Sequence, residues 1–209
     1  MPRIYLIDRP NSPQSVILAG HVLDVSGRDD LVTLRAANEI LGGSFLSRLN
    51  MDLRETKGWA YGVRSGISNN ENQIAFTFQA PVQADRTGDS IRAFQAQLGD
   101  FLGAKGVTSA ELTRTVNGNV RELPGSFETS GDVMGGLSTI INLGRPDDYY
   151  ETLARKYQAL TTADVDAAGR ARIVPKRMIY VVVGDAKKVR PQLDGIGLPV
   201  EEMPTPSTQ

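Results

Sequence analysis

Apolar residues alternate with polar ones, or form short runs, in five segments that predict β-strands. These segments are Arg3 to Arg9, Gln14 to Leu23, Trp59 to Ile67, Gln73 to Pro81 and Lys176 to Gly184. The second and the last are apolar on both faces, which is typical of central strands covered on both sides.

Between and after these strands, apolar residues recur at helical spacing. The predicted helices span 29–41, 44–56 (with Ser44 as N-cap), 90–103, a segment beginning at the capping box Thr108–Glu111, and about 127–143, 147–160 and 162–173. The order indicates an α+β fold, in which helices pack on a mainly antiparallel sheet. We expect one domain over residues 1–197 and a Pro-rich polar tail that frays over 198–209.

The composition of the chain argues against nucleic acid binding and against a membrane-spanning segment. The chain has 209 residues, with 23 Lys and Arg against 24 Asp and Glu, so no basic excess favours a nucleic acid partner. No apolar run reaches the ~20 residues of a membrane span, and the N-terminal segment lacks the pattern of an export signal.

Cysteine is absent, and His21 is the single histidine. A typical catalytic zinc site, with one or more imidazoles among three protein ligands, therefore cannot be assembled from this chain. No second ligand lies three or four residues from His21, which favours a strand residue whose ring is satisfied locally.

Two glycine segments could hold an anion. Gly42-Gly43-Ser44 precedes a predicted helix, and Val183-Gly184-Asp185 follows an apolar strand. Neither segment carries the further glycines or the lysine of a nucleotide-binding loop, so tight helix entry and a close approach of two helices are the favoured interpretation.

Arg54 lies in the last turn of a predicted helix, and Tyr61 lies early in the following strand. Both side chains donate hydrogen bonds, so together they would suit a peptide carbonyl that becomes negative in a transition state. From the residues alone, structural roles remain the alternative: Arg54 pairing with Glu55 or a helix-end carbonyl, and Tyr61 as a half-buried strand residue.

The segment 42–61, GGSFLSRLNMDLRETKGWAY, resembles the signature of the C-terminal, non-metal-binding domain of pitrilysin-like zinc metallopeptidases. This insulinase family includes mitochondrial processing peptidases, insulin-degrading enzyme and bacterial zinc proteases. Further similar segments follow in order along the chain: residues 8–10, 123–128, 147–150, 160–165 and 181–185.

The resemblance implies the α+β metallohydrolase fold of LuxS and the mitochondrial processing peptidases. It also implies a partner domain or subunit that carries H-x-x-E-H, binds zinc and activates water. This chain would hold no metal or cofactor, and would contribute Arg54 and Tyr61 as catalytic and substrate-binding residues for an extended peptide. Because H-x-x-E-H is absent, we expect the chain alone to be inactive.

The resemblance leaves two functions open: half of a zinc endopeptidase, or a non-catalytic protein that supports assembly or holds peptides. An unrelated hydrolase or nucleotide-binding fold is a third alternative. The start close to a strand favours a fragment of a longer protease over a separate subunit. Bacterial relatives imply a periplasmic location, with the cytoplasm as the alternative.

Overall fold

The structure, a computed structural model, describes residues 1–204. Its strands are β1 (Arg3–Asp8), β2 (Gln14–Val22), β3 (Arg64–Ile67), β4 (Ala75–Gln83), β5 (Ile179–Gly184) and β6 (Val200–Met203). Its α-helices are α1 (Val32–Asn38), α2 (Arg48–Asn50), α3 (Thr87–Leu102), α4 (Ser109–Glu122), α5 (Ser130–Leu143), α6 (Tyr149–Gln158), α7 (Thr162–Arg172) and α8 (Ala186–Leu193). The first two continue as π-helical turns, Glu39–Gly43 after α1 and Met51–Thr56 after α2.

The six strands form one mixed sheet in the order β3-β4-β2-β5-β1-β6. β4 pairs antiparallel with β3 and β2, and β2 pairs antiparallel with β5. β1 pairs parallel with β5 and β6, which completes the sheet. The predicted α+β class is confirmed, and antiparallel pairing predominates.

Helices bury one face of the sheet. Alternate residues such as Ile17, Phe78 and Val182 point into a continuous core, where Phe78 stacks on Phe94 of α3 at 3.9 Å between ring centroids. The opposite face is open, since Leu18, Val22 and Ile179 are exposed. The expectation that β2 and β5 are covered on both sides is therefore wrong, because no second layer covers this face in the part of the chain described.

The expectation that the chain frays after Leu198 is wrong for residues 200–203, which form strand β6. Val200–Met203 extends the sheet beside β1, and the Ile4 amide donates to the Pro199 carbonyl at 2.9 Å. Backbone pairing stabilises this segment although its side chains are mostly exposed. The rest of the predicted tail, 205–209, lies outside the described residues, and the domain boundary after residue 197 stays a prediction.

Local capping explains several helix starts. The predicted box at Thr108 and Glu111 is present, and Thr129 and Thr161 form equivalent boxes at α5 and α7. Ser44, in contrast, is not an N-cap: it is extended, and α2 begins at Arg48.

Arg48 ties α2 to α4. Its Nε and Nη2 donate to the Glu111 carboxylate at 2.6 and 2.7 Å, and its Nη2 also donates to the Gly106 carbonyl at 2.7 Å. Although burial opposes it, hydrogen bonding from Arg48 and Thr108 lowers the pKa of Glu111 to about 2. This pair anchors the start of α2, the helix whose π-helical continuation carries Arg54.

His21 has a structural role. The Val174 amide donates to Nε2 at 3.0 Å, so Nδ1 is the nitrogen that donates to the Val22 carbonyl, at 2.8 Å. Both ring nitrogens are thus satisfied by backbone groups.

Within residues 1–204, no helix is both long and apolar enough to cross a bilayer.

Candidate substrate-binding cleft

A cleft forms beside β4, where the segment that pairs with this strand loses its pairing after Ala60 and resumes it at Arg64. Ala60 bridges to Val82, but β3 then pairs from Arg64 opposite Gln79, so three residues (61–63) face two (80–81). Such a bulge re-aims side chains and is frequent beside active sites. The expected strand from Trp59 to Ile67 is therefore interrupted, and a cavity of about 640 Å³ opens at the interruption.

The cleft is lined by Gly43, Ser44, Phe45, Asn50, Arg54, Tyr61, Gly62, Val63, Arg64, Gln79 and Pro81. Arg54 and Tyr61, the two residues singled out from the sequence, thus line the same cleft. Their roles toward a substrate remain a proposal.

Arg54 projects from the π-helical turn that extends α2. Gly58 ends this turn with a left-handed φ of 63°, and its amide donates to the Arg54 carbonyl at 3.1 Å. The Trp59 carbonyl then accepts from the Gln83 amide at 3.0 Å, which fixes the end of the turn to β4. The segment that follows Arg54 is therefore held by the end of the turn and by β4.

The Arg54 guanidinium is only partly neutralised. Its carbon lies 4.5 Å from the centroid of the Phe45 ring, and Nη1 lies 2.9 Å from a Glu55 carboxylate oxygen. This contact is an ion pair and not a hydrogen bond, so Nη1 is buried without a hydrogen-bond acceptor among the described residues. An unsatisfied buried donor is costly, and an acceptor entering the cleft would remove that cost.

Tyr61 stands at the bulge and is 88% exposed. Its hydroxyl makes no hydrogen bond to the described part of the chain, so it can meet a ligand. The expectation of a half-buried strand residue is wrong, because the bulge carries the side chain outward.

Asn50 joins the two walls of the cleft. Its side-chain amide donates to the Phe45 carbonyl at 2.7 Å, and its side-chain oxygen accepts from the Val63 amide at 3.0 Å. Asn50 is buried, so this bridge sets the width of the cleft. Sequence reasoning missed Asn50 and Phe45 as cleft residues, although both lie within the motif.

Gly42 and Gly43 permit close packing, but Gly42 packs against strand β3 and Gly43 against the Asn38 side chain, so the expected close approach of two helices is wrong. A Cβ on Gly42 would lie 2.5 Å from Ser65 Oγ of β3, and one on Gly43 would lie 2.8 Å from Asn38 Nδ2. Asn38 and Ser65 are themselves hydrogen-bonded at 2.8 Å. The absence of both side chains lets the turn pack directly on β3 and positions Phe45.

The acidic and imidazole groups do not converge on a metal site. Across residues 1–204, no three His, Asp or Glu side chains are grouped so that they could hold a metal ion. The donor set of this cleft is instead a guanidinium and a phenol, which suit an oxygen acceptor.

Comparison with known proteins identifies the family. The model of the peptidase M16 inactive domain matches residues 2–119. An uncharacterized zinc protease of Mycobacterium tuberculosis is 28% identical over 195 residues, which are 91% of this chain and 43% of that protein. The uncharacterized zinc protease YmxG of Bacillus subtilis is 32% identical over 108 residues, 52% of this chain and 26% of that protein.

Solved structures agree. A peptidase M16 inactive domain from Pseudomonas fluorescens has a TM-score of 0.78 and 28% identity, over 88% of this chain and 44% of that one. An inactive peptidase domain from Bordetella parapertussis has a TM-score of 0.70 and 20% identity, over 83% of this chain and 94% of that one.

These matches define an inactive domain of a zinc protease family. The chain belongs to the peptidase M16 inactive-domain family. It spans less than half the length of the curated relatives it matches.

Proposed function

We propose that this chain is the non-metal-bearing half of a zinc-dependent endopeptidase, and that Arg54 and Tyr61 contact the carbonyl groups of an extended peptide. The observation that carries the proposal is the cleft, which both residues line and in which an Arg54 nitrogen is buried without a hydrogen-bond acceptor.

The partner would be a homologous domain or subunit with H-x-x-E-H, since inactive domains of this family typically pair with a catalytic domain. Zinc held by that partner would supply an activated water. The relatives named as zinc proteases support this assignment. A periplasmic location is the further expectation, in line with the fold shared with the periplasmic protease PqqL of Escherichia coli (16% identity, TM-score 0.70, 88% of this chain and 20% of that one).

In this proposal, Arg54 acts as a hydrogen-bond donor that is already held in place. The guanidinium of Arg54 is held against Phe45, so its charge is already in place when a carbonyl oxygen gains negative charge. Tyr61 donates a second hydrogen bond from its exposed position at the bulge. Because the Arg54 guanidinium needs little reorganisation, it stabilises the transition state more than the bound peptide.

The test is reconstitution with the homologous H-x-x-E-H domain, using a fluorogenic peptide. We expect neither half alone to cleave the peptide, the mixture to cleave it, and a chelator to abolish the activity. Arg54→Ala should lower kcat/KM about 10²–10³-fold, as removal of one such donor typically does.

Arg92→Ala is the matched control, because Arg92 is exposed on α3 and outside the cleft. Restored cleavage that does not depend on Arg54 would contradict the proposed contact. It would favour instead the alternative function, in which the chain holds a peptide or supports assembly of a complex without contributing to the reaction.

A further inference from the structure

Helix α5 turns an apolar stripe away from the rest of the chain. Four large apolar residues share one side of the helix and are 41–77% exposed: Val133, Met134, Leu137 and Ile141. We call these four residues the α5 stripe. A different side of α5, on which Gly136 and Leu143 are buried, contacts its own domain. An amphipathic helix normally packs through its apolar side, so within residues 1–204 the α5 stripe lacks the surface that would cover it.

The sequence of α5 favours a helix only weakly. Gly135 and Gly136 interrupt its 14 residues, and glycine is among the poorest helix formers. The capping box at Thr129 and the left-handed Gly144 fix the two ends of the helix. Helices of this length are nevertheless marginal in water without packing. Covering the α5 stripe would therefore stabilise the helix and also remove apolar surface from water.

The open face of the sheet is a second uncovered apolar surface. Leu18 and Val22 of β2 and Ile179 of β5 are 40–53% exposed on this face. The strand registers place further apolar and aromatic side chains beside them, on β2, β5, β1 and β6: Val16, Val181, Val183, Tyr5, Ile7 and Met203. An apolar area that extends across four adjacent strands marks an interaction surface.

The helix and the open face match in size. A helix of 14 residues is about 21 Å long, and four neighbouring strands span roughly 15–20 Å. A helix of this length laid on a sheet removes on the order of 400–500 Å² from each of the two surfaces. Two such contacts would bury roughly 1,600–2,000 Å², which is the area that a stable protein–protein interface needs.

A second copy of this chain can cover both surfaces, because each copy carries the α5 stripe and the open face. In a two-fold dimer the same two surfaces meet twice, once in each direction. Such a dimer is self-complementary, and it requires no residue beyond those already described.

A lipid surface fits α5 less well than a protein surface does. Asp132 is the only charged residue of the helix, and its carboxylate accepts from Thr129 Oγ1 at 2.6 Å in the capping box. Helices that lie in a membrane interface usually present lysine or arginine on their polar side, and α5 has neither. A membrane bound to α5 would also leave the open face of the sheet uncovered.

We propose that this chain forms a two-fold dimer in which α5 of each copy packs on the open face of the sheet of the other copy. The α5 stripe provides the apolar side chains of the helix, and β2, β5 and β1 provide the centre of the sheet surface. This inference goes beyond the proposed function, because it concerns the chain alone and does not involve the contacts of Arg54 or Tyr61 with a peptide.

Sedimentation velocity measures the mass of the 209-residue chain in solution. We expect a dimer at about 10 μM, because interfaces of this size give micromolar or tighter dissociation constants. Leu137→Glu would bury a carboxylate in each of the two contacts, so it should raise the dissociation constant at least about 100-fold. Leu137 is 49% exposed in a single copy, so the variant should fold, and fluorescence of the single tryptophan, Trp59, checks this.

Asn142→Glu is the matched control for this variant. Asn142 is exposed on the same helix but lies on the side away from the α5 stripe, so its replacement should leave the mass of the dimer unchanged. Equal dissociation by the two variants would contradict the assignment of the interface to the stripe.

Cross-linking identifies which surfaces meet. The chain contains no cysteine, so Leu137→Cys and Leu18→Cys, made in separate chains, each introduce a single thiol. When the two chains are mixed and treated with a short bismaleimide, we expect a covalent dimer that joins one chain of each kind. Asn142→Cys mixed with Leu18→Cys should give little of this product.

A parent chain that sediments as a monomer at about 10 μM would overturn the proposal. Cross-linking of Asn142→Cys to Leu18→Cys as efficient as that of Leu137→Cys would also overturn it. A monomer that cross-links through Leu137→Cys only to an added H-x-x-E-H domain, or that binds phosphatidylcholine vesicles through α5, would assign the stripe to that other occupant. The mass of the chain does not depend on Arg54, so failure of this proposal is distinguishable from failure of the proposed function.

Discussion

The guanidinium carbon of Arg54 lies 4.5 Å from the centroid of the Phe45 ring, although nine positions separate the two residues along the chain. The ring supports the cation at the wall of the cleft, where one guanidinium nitrogen has no hydrogen-bond acceptor. Phe45 itself is 64% exposed, so it contributes little to the core. This contact links the GGSF segment to the proposed carbonyl contact.

Replacement of Phe45 by alanine should therefore affect function more than stability. We expect kcat/KM of the reconstituted protease to fall about three- to tenfold, the effect of one partly exposed cation–π contact. Urea unfolding should change by less than about 0.5 kcal/mol. Leu46→Ala is the control, because Leu46 is also exposed but does not line the cleft; equal losses in the two variants would contradict the role of the ring.

Glu111 should make stability depend on acid pH. Its pKa is about 2 in the folded chain against an ordinary value of 4.5, so its stabilising contribution is present above pH 4.5 and is lost as pH falls toward 2. Discounted for solvent screening of this partly exposed pair, the contribution amounts to about 1–2 kcal/mol. Urea unfolding of the parent chain and Glu111→Gln should differ by this order at pH 7 and converge near pH 2.

Glutamine can still occupy the third position of the capping box, so Glu111→Gln tests the pairing with Arg48 rather than the cap. A difference in stability between the two chains that stayed constant from pH 7 to pH 2 would contradict the assignment.

Gly42 should not tolerate a side chain. A Cβ would lie 2.5 Å from Ser65 Oγ and 2.8 Å from Leu49 Cδ1, so Gly42→Ala should cost about 1–3 kcal/mol of unfolding free energy. Gly62→Ala is the comparison, because its Cβ would meet nothing within 4 Å. Equal stabilities for the two variants, measured by urea unfolding, would contradict the close packing of the turn on β3.

Local signals predicted much of the fold. The capping box at Thr108 and the periodic apolar residues of α3 place helices where they occur, because capping and amphipathicity act over a few neighbouring residues. The same patterns could not reveal the π-helical turn that ends at Gly43, which packs against Ser65, a residue distant in sequence. They also missed β6, whose charged residues pair through the backbone.

The open face of the sheet shows a different limit. β5 is apolar on both faces, a pattern typical of full burial, yet Ile179 is exposed. An apolar pattern indicates that a face can be covered, but it does not state which layer covers it. For the cleft, the motif predicted Arg54 and Tyr61, whereas the bulge that turns Tyr61 outward depends on the register with β4.

The most direct test of the account is a double-mutant cycle on Arg54 and Tyr61 in the reconstituted protease, read as kcat/KM. We predict that Arg54→Ala and Tyr61→Phe each lower kcat/KM, and that the double variant loses less than the product of the two single losses, because both donors serve one carbonyl contact. Rates unchanged in either single variant, with reconstitution intact, would contradict it.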